Sequence, residues 1–421
     1  MRVNLVPDIA LAERLFDRLR ERTFDGVGIT REAYGPGERI AHEIVRAEAD
    51  RLGLETRCDA AGNLLMTLPG RDRGAKRIVL GSHLDSVPQG GNFDGAAGVL
   101  AGLAAVAGMK QAGFVPQRDI TVLAIRAEEG GAWFPSGLPG SRAALGRLPP
   151  EHLQVARLES GRSLADHMRE EGFDPEAVAR GACLLPPESI EAYVELHIEQ
   201  GPVLEAQQVP VALVTALPGS RRIREGRVLG EYNHSGATPR RYRRDAAIAL
   251  AEFATRLDDE WARLETLGHR LVVTFCILET TEQAGFTKVP GEARFQIDIR
   301  GTTVAGIDAV HAAIDRLVGE VEGRRGVRFE LVRGPLSPPT PMSAAVRGDL
   351  LRAAEELGID TLTMASGGGH DAGAFAQAGV PTCMLFVRNQ HGSHNPDEAM
   401  RIEDFAKGCA IVTRWAAEVA G

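Results

Sequence analysis

The chain has little that would carry it to a membrane, a nucleic acid or an oxidising compartment. No stretch of its 421 residues reaches the ~20 consecutive apolar residues that a bilayer-spanning helix requires. Basic residues are outnumbered, 48 Lys and Arg against 57 Asp and Glu, for a net charge of −9. A phosphate backbone needs a basic surface, so nucleic acid is excluded as the main partner. Cysteine is sparse. Cys58, Cys183, Cys276, Cys383 and Cys409 are odd in number, scattered, and free of any CxxC or CxxH spacing, so neither a zinc knuckle nor a redox pair is indicated. In contexts such as Val272–Leu278 (VVTFCIL) they read as small core residues in a reducing compartment. The first 26 residues carry early acidic groups and no unbroken apolar run, which suits an amphipathic first helix rather than a signal peptide. A cytoplasmic protein is expected. There is no internal repeat and no low-complexity tract.

What is present is a chain long enough for two or more compact units, with an ordinary 44% apolar and 25% charged composition. Ile78–Leu80, Ile120–Ile125 and Ala192–His197 read as strands, and the Ala/Gly/Leu-rich stretch Ala96–Gln111 as a buried helix. Strands alternating with helices predict an α/β fold whose mostly parallel sheet is covered by helices. In such sheets ligands sit at the carboxyl ends of the strands. The texture changes between about Val214 and Gly334. Strands are expected at Arg222–Glu231, His269–Leu278 and Ala293–Arg300, with helices at Arg243–Leu264 and near Ala305–Val321. That is an inserted α+β module. The Pro-rich passage Pro335–Pro341 returns the chain to the first sheet, which the strand Pro381–Val387 completes. The expected boundaries are 1–214 and 335–421 for the first domain and 215–334 for the insert.

Ionisable residues and glycines concentrate in five short stretches: SHLDSVPQGGNFDG (82–95), EEG (128–130), ELHIEQGP (195–202), SGGGHDA (366–372) and HGSHNP (391–396). Taken singly each is unremarkable, since a lone histidine is usually hydrogen-bonded or on the surface and a Glu pair is usually solvated. Together, His83, Asp94, Glu129, His197 and His394 fall at or just after strand ends of one domain. Imidazole and carboxylate are the ligands expected for zinc, manganese or cobalt, and such a set suits a two-metal site with one bridging carboxylate.

The ordered pattern HxD, GGxFDG, EEG, ELHIEQGP and SHNP resembles the dinuclear-metal aminoacylase/carboxypeptidase superfamily. Within it, the likeness is to the amidase/hydantoinase/carbamoylase branch, which includes N-carbamoyl-L-amino acid hydrolases, allantoate amidohydrolases and β-ureidopropionases. It runs from about Gly81 to Pro396. The resemblance implies a catalytic domain interrupted by a lid and dimerisation insert, and two divalent ions, Zn²⁺ or Mn²⁺, with Co²⁺ or Ni²⁺ possible. His83, Asp94 and His197 would hold one ion, and Asp94, Glu129 and His394 the other. Asp85 would orient His83. Glu128 would be the general base that takes a proton from the attacking water and passes it to the leaving nitrogen. His234, in YNHSGATP, would stabilise the oxyanion across a homodimer. Gln200, Arg300 and the Gly368–Gly369 backbone would recognise the substrate, with Arg300, and more weakly Arg221, paired with a substrate carboxylate. His370 and Asp371 would either touch substrate or brace their loop. The substrate would be a small N-carbamoyl or N-acyl amino acid or a related ureido or amide carboxylate. A metallo-exopeptidase of the same superfamily is the alternative, and a non-catalytic ligand-binding homologue a remoter one.

Four positions depart from the family pattern. Ala127 stands where Asn usually precedes the glutamates, and EEGGAWF lacks the usual following Arg, with Ala132 and Trp133 there. Thr287 replaces the Asn that contacts substrate, and the histidine segment ends ATPR. None of these removes a ligand or the base. They alter the shell that reads the substrate, where unpaired polar groups decide selectivity. Trp133, Phe134 and Phe286 are candidates to line a more apolar pocket, or else plain core.

Overall fold

The computed structural model describes residues 5–421, so the start of the N-terminal stretch lies outside the described residues. The chain divides into two compact units, one built from the chain up to Thr215 together with Met342–Gly421, the other from Ala216–Pro341. The main strands, in chain order, are β1 (Glu55–Cys58), β2 (Leu64–Leu68), β3 (Arg77–His83), β4 (Ile120–Ile125), β5 (Ile190–Ile198) and β6 (Val211–Val214). The second unit adds β7 (Ile223–Leu229), β8 (Leu271–Thr280), β9 (Glu292–Gly301) and β10 (Arg328–Arg333), before β11 (Thr361–Met364) and β12 (Thr382–Val387) return to the first. The helices that matter here are α1 (Ile9–Thr23), α2 (Pro36–Arg51), α3 (Ala96–Gln111), α4 (Ala246–Thr266), α5 (Val304–Arg325), α6 (Asp371–Gln377) and α7 (Ile402–Ala420).

In the first unit eight strands form one sheet in the order β1-β2-β4-β3-β5-β12-β6-β11. Its centre, β4-β3-β5-β12, is parallel throughout. β2 runs antiparallel to β4, and β6 antiparallel to β12, so the expected mostly parallel sheet carries reversed strands on both flanks. The central strands are nearly continuous apolar runs buried on both faces, the pattern of a sheet with helices on either side. α3 packs on β3 and β5, with α7 beside it. Every residue of α3 from Ala96 to Met109 is buried, which is why its sequence shows no polar stripe. Its small residues allow close approach: a Cβ on Gly98 would lie 2.3 Å from the Leu196 carbonyl oxygen of β5.

The second unit is an antiparallel sheet, β8-β9-β7-β10. β9 alternates strictly enough to put Ala293, Phe295, Ile297 and Ile299 on one face, where they join Leu250, Phe253 and Leu257 of α4 and Val310, Ile314 and Leu317 of α5 in one core. α4 begins at Ala246, later than expected, because the Asp245 carboxylate caps it through the Ile248 N–H at 3.1 Å and Arg240–Tyr242 form a 3₁₀ turn. Thr340–Pro341 pair with Ala216–Leu217 where this unit closes.

The cysteines correct one expectation. Cys383 and Cys409 are buried, but Cys58, Cys183 and Cys276 are exposed. Cys276 lies on β8, an outermost strand of its sheet, among the exposed residues of that strand, while Leu271, Val273 and Phe275 face the core.

Candidate metal centre and its surroundings

The carboxyl ends of β4, β3, β5 and β12 are adjacent, with neighbouring strands roughly 4.8 Å apart. His83 is the last residue of β3, Glu128 and Glu129 follow β4, His197 is the penultimate residue of β5, and His394 lies in the loop after β12. Topology alone therefore gathers residues that are far apart in sequence.

The loop after β3 brings Asp94 into the middle. Gly95 makes this possible: it sits at φ 66°, and a Cβ there would lie 2.4 Å from the His83 ring. Asp94 Oδ1 faces His197 Nε2 at 3.1 Å and His83 Nε2 at 3.5 Å, and the two imidazole nitrogens are 3.4 Å apart. Asp94 Oδ2 faces His394 Nε2 at 3.5 Å, and that nitrogen is 2.9 Å from Glu129 Oε1. Two three-residue groups result, His83–Asp94–His197 and Asp94–Glu129–His394, which share Asp94. Asp94 Oδ1 is buried and has no hydrogen-bond partner among the described residues. For bonds of about 2.1 Å in a tetrahedral shell, ligand atoms stand about 3.4 Å apart. The separations at His83, Asp94 and His197 match that figure. The residues fit a divalent ion.

The surrounding polar groups hold this arrangement. His83 Nδ1 lies 3.1 Å from the Asp85 carbonyl oxygen and 3.3 Å from its carboxylate, so Nε2 is the nitrogen turned to Asp94. The Asp85 carboxylate also accepts the backbone N–H groups of Glu128 and Glu129, at 3.0 and 2.9 Å. Asp94 Oδ2 accepts from Gln200 Nε2 at 2.8 Å and from Ser393 Oγ at 2.6 Å. Burial pushes the Glu128 carboxyl well above the usual range; His83 opposes this, while Glu129, Asp371 and Asp85 add to it. Burial and the nearby His197 hold His370 well below the ordinary histidine value, so its ring is neutral.

A third group, Glu195–His197–His370, shares His197. The oxygens of Glu195 are already occupied, by Ser82 Oγ and the Ala372 N–H, both at 2.7 Å. His370 packs edge-on against His197, with ring centroids 4.5 Å apart. A Cβ on Gly368 would lie 3.7 Å from Gln200 Oε1 and 3.8 Å from His370 Nε2, so these three residues border one space beside Asp94. A Cβ on Gly369 would meet nothing within 4 Å among the described residues. His83 and His197 are buried, whereas the His394 side chain is 49% exposed, so the cluster opens toward solvent on the His394 side. Five non-glycine residues with left-handed backbone lie on these loops: Gln89, Ala127, Gln200, His391 and His394. Strain of that kind collects where geometry is over-determined.

His234, Thr287, Arg221 and Arg300 belong to the second unit, and the structure pairs them. Ser235 N–H donates to the Thr287 carbonyl at 2.9 Å, beside the His234–Lys288 bridge. His234 Nδ1 accepts the N–H groups of Gly236 and Ala237, both at 3.1 Å, so the neutral ring carries its proton on Nε2. Arg221 N–H donates to Ile299 O next to Arg300, whose Nε bonds Asp298 Oδ2 at 2.7 Å. Trp133 and Phe134 are core: they pack with Leu148, Leu153 and Leu164, under the Arg157 guanidinium, and Trp133 Nε1–H donates to Ser86 O at 2.8 Å. Phe286 is fully exposed.

Sequence reasoning missed several buried polar residues. Arg31 donates from Nε to Leu84 O at 2.6 Å and approaches Asn92 and the Asp94 carbonyl. Glu398 accepts the N–H groups of Phe93 and Asp94, and its other oxygen lies 2.6 Å from the Ser393 hydroxyl oxygen. Glu38 accepts from Tyr34, Arg126 and Ala127. A charged residue in a helical or turn pattern reads as solvated, and only the fold shows it enclosed. Ser393, inside HGSHNP, was the one available hint.

The donor set gathered at the carboxyl end of this parallel sheet is of the kind a metal-dependent hydrolase uses. Residues 79–418 match the family described as Peptidase family M20/M25/M40, and the chain belongs to it. Its members are metal-dependent hydrolases. The chain is 37% identical to an N-carbamoyl-L-amino acid amidohydrolase of Geobacillus stearothermophilus, over 96% of this chain and 98% of that one. It is 34% identical to an allantoate amidohydrolase of Escherichia coli strain K12, over 90% of each. A crystal structure of a hydantoinase/carbamoylase family amidase from Burkholderia ambifaria superposes with a TM-score of 0.87, at 30% identity, over 99% of this chain and 98% of that one.

Proposed function

We propose that the chain is an amidohydrolase that uses two divalent cations to hydrolyse the C–N bond of an N-carbamoyl or N-acyl amino acid, or of a related ureido or amide carboxylate. The observation that carries this reading is the shared position of Asp94 between His83 and His197 on one side and Glu129 and His394 on the other. Those two groups would each hold one ion, with zinc or manganese suited best to mixed imidazole and carboxylate, and cobalt or nickel also compatible. When bound, the ions would supply Lewis-acid polarisation of the scissile carbonyl and make water a stronger acid.

The chain's own residues supply the rest. Glu128 takes the proton of the attacking water and returns it to the leaving nitrogen. Asp85 fixes the His83 ring and the backbone of both glutamates. Gln200, Gly368, Gly369 and His370 border the substrate, and Thr287 reads its polar end. Arg300 forks onto the substrate carboxylate, helped by Arg221. His234, with its proton on Nε2, donates to the developing oxyanion. It does so in the active site of a second copy, the insert serving as lid and dimerisation domain. Support for a homodimer comes from β8, an outermost strand exposing Val272, Ile277 and Leu278, since such an edge is a template for pairing. Exposed free thiols at Cys58, Cys183 and Cys276 support a reducing, cytoplasmic location. No helix among the described residues is long and apolar enough to cross a membrane.

The test is a hydrolysis screen on manganese- or zinc-reconstituted protein, following ammonia and free amine from matched N-carbamoyl and N-acyl amino acids and dipeptides, with Glu128→Gln as blank. Ammonia with amine places the substrate among ureido compounds. Amine alone from acyl substrates means Ala127 and Thr287 belong to a re-purposed pocket, and cleavage of dipeptides alone overturns the amidohydrolase reading.

A further inference from the structure

The backbone between β4 and Glu129 is held in an unusual way. Ala127 is completely buried and has φ 57°, a conformation that any residue with a Cβ other than Asn or Asp adopts with strain. Each N–H of the segment is nevertheless matched to a side-chain acceptor. Arg126 N–H donates to Asn63 Oδ1 at 3.0 Å, Ala127 N–H to Glu38 Oε1 at 2.8 Å, and the next two to Asp85.

Glu38 lies in the first turn of α2 and is fully buried. Its second oxygen, Oε2, accepts Arg126 Nη1 at 2.8 Å and the Tyr34 N–H at 2.7 Å. Arg126 is fixed in turn by Gly62 O at 2.9 Å and by the Phe173 ring, 4.7 Å from its guanidinium carbon. A buried carboxylate thus spends both oxygens on the segment and on the residue that braces it. Glutamine would keep only one acceptor oxygen and would turn an NH₂ group toward donors, leaving Ala127 or Arg126 opposed by like polarity.

We infer that Glu38 is a positioning residue for the hydrolytic reaction: with Asp85 it clamps the left-handed turn at Ala127 and so aims Glu128 and Glu129 at the metal cluster. The aim matters only if Glu128 is the base and Glu129 a ligand, so the inference rests on the functional reading above, while the clamp itself does not.

The experiment compares Glu38→Gln, Ala127→Gly and the double variant, each metal-loaded, by steady-state kinetics and by amide hydrogen exchange. Glu38→Gln is expected to lower kcat about 10- to 100-fold with little change in KM, the scale of a displaced catalytic group. Exchange across Arg126–Glu129 should quicken. Adding Ala127→Gly should recover much of the lost kcat, because glycine adopts the left-handed turn without a clamp. A Glu38→Gln enzyme that merely melts earlier, with kcat and local exchange unchanged, overturns the inference. So does a kcat loss that Ala127→Gly leaves untouched. Faster local exchange in Glu38→Gln, in a protein whose wild type hydrolyses nothing, upholds the clamp and overturns the functional reading alone. If Glu38→Gln does not fold, Glu38→Asp, which keeps the charge but falls one methylene short, is expected to show the same changes at smaller size.

Discussion

The two units place their candidate residues in opposite physical settings. In the first, His83 and His197 are buried at the ends of parallel strands with Asp94 on the loop between them, and neighbouring carboxylates, amides and Ser393 fix the cluster. In the second, His234 is exposed beside a short two-residue bridge, and Arg300 is partly exposed on an antiparallel sheet. The proposed ligands His83, Asp94 and His197 lie where the core dictates position. The proposed oxyanion donor and carboxylate reader lie where side chains reach outward, and two of the four departures from the expected family pattern, Thr287 and Arg240 after Pro239, fall in that second unit.

If that division is right, substitutions in the two units should fail differently. The largest effect is expected from Glu128→Gln, which should lower kcat by about 10³- to 10⁴-fold while metal content, measured by elemental analysis, stays at the wild-type value. His234→Ala should cost about 10²- to 10³-fold in kcat, the scale of one lost oxyanion donor, with the first unit's metal content intact. Loss of metal in that variant would break the comparison. Arg300→Met should raise KM about ten- to a hundredfold for carboxylate substrates, equivalent to roughly 1.5–3 kcal/mol for a charged hydrogen bond, and do little to analogues lacking the carboxylate.

The smallest effect concerns stability. His42, on α2, is buried with neither ring nitrogen hydrogen-bonded among the described residues; burial, reinforced by Arg126, holds it well below its ordinary value of 6.5. The unfolded chain therefore takes up a proton that the native state refuses, and stability falls as pH drops below the unfolded value. His42→Leu should remove that component. Its stability advantage over wild type, read from denaturant melts, should grow as pH falls from about 7 to about 5, by at most about 1.4 kcal/mol per unit.

Much of this was legible in the letters. The alternation of strand and helix predicted a parallel sheet, and the polar stretches do lie at its carboxyl ends, because an apolar run followed by Gly, His and Asp is what a buried strand leading into a site looks like. α3 was readable as buried from its Ala and Gly content. The flanking strands β6 and β11 were not, being four residues long and without contrast. Nor were Arg31, Glu38 and Glu398, whose letters are those of surface charge and whose burial arises only when distant segments close over them. Trp133 and Phe134 show the converse: aromatic letters beside a site that belong to packing under Arg157.

Gly98 carries a consequence for how the protein can vary. It touches no candidate ligand, yet a single methyl group there would meet the Leu196 carbonyl one residue before His197 and the Ser82 side chain one residue before His83. Two imidazoles on neighbouring strands thus inherit their placement from the bareness of one helical turn behind the sheet. In a saturation mutagenesis survey Gly98 should be as intolerant as the histidines themselves, a silent position whose only contribution is the room it leaves.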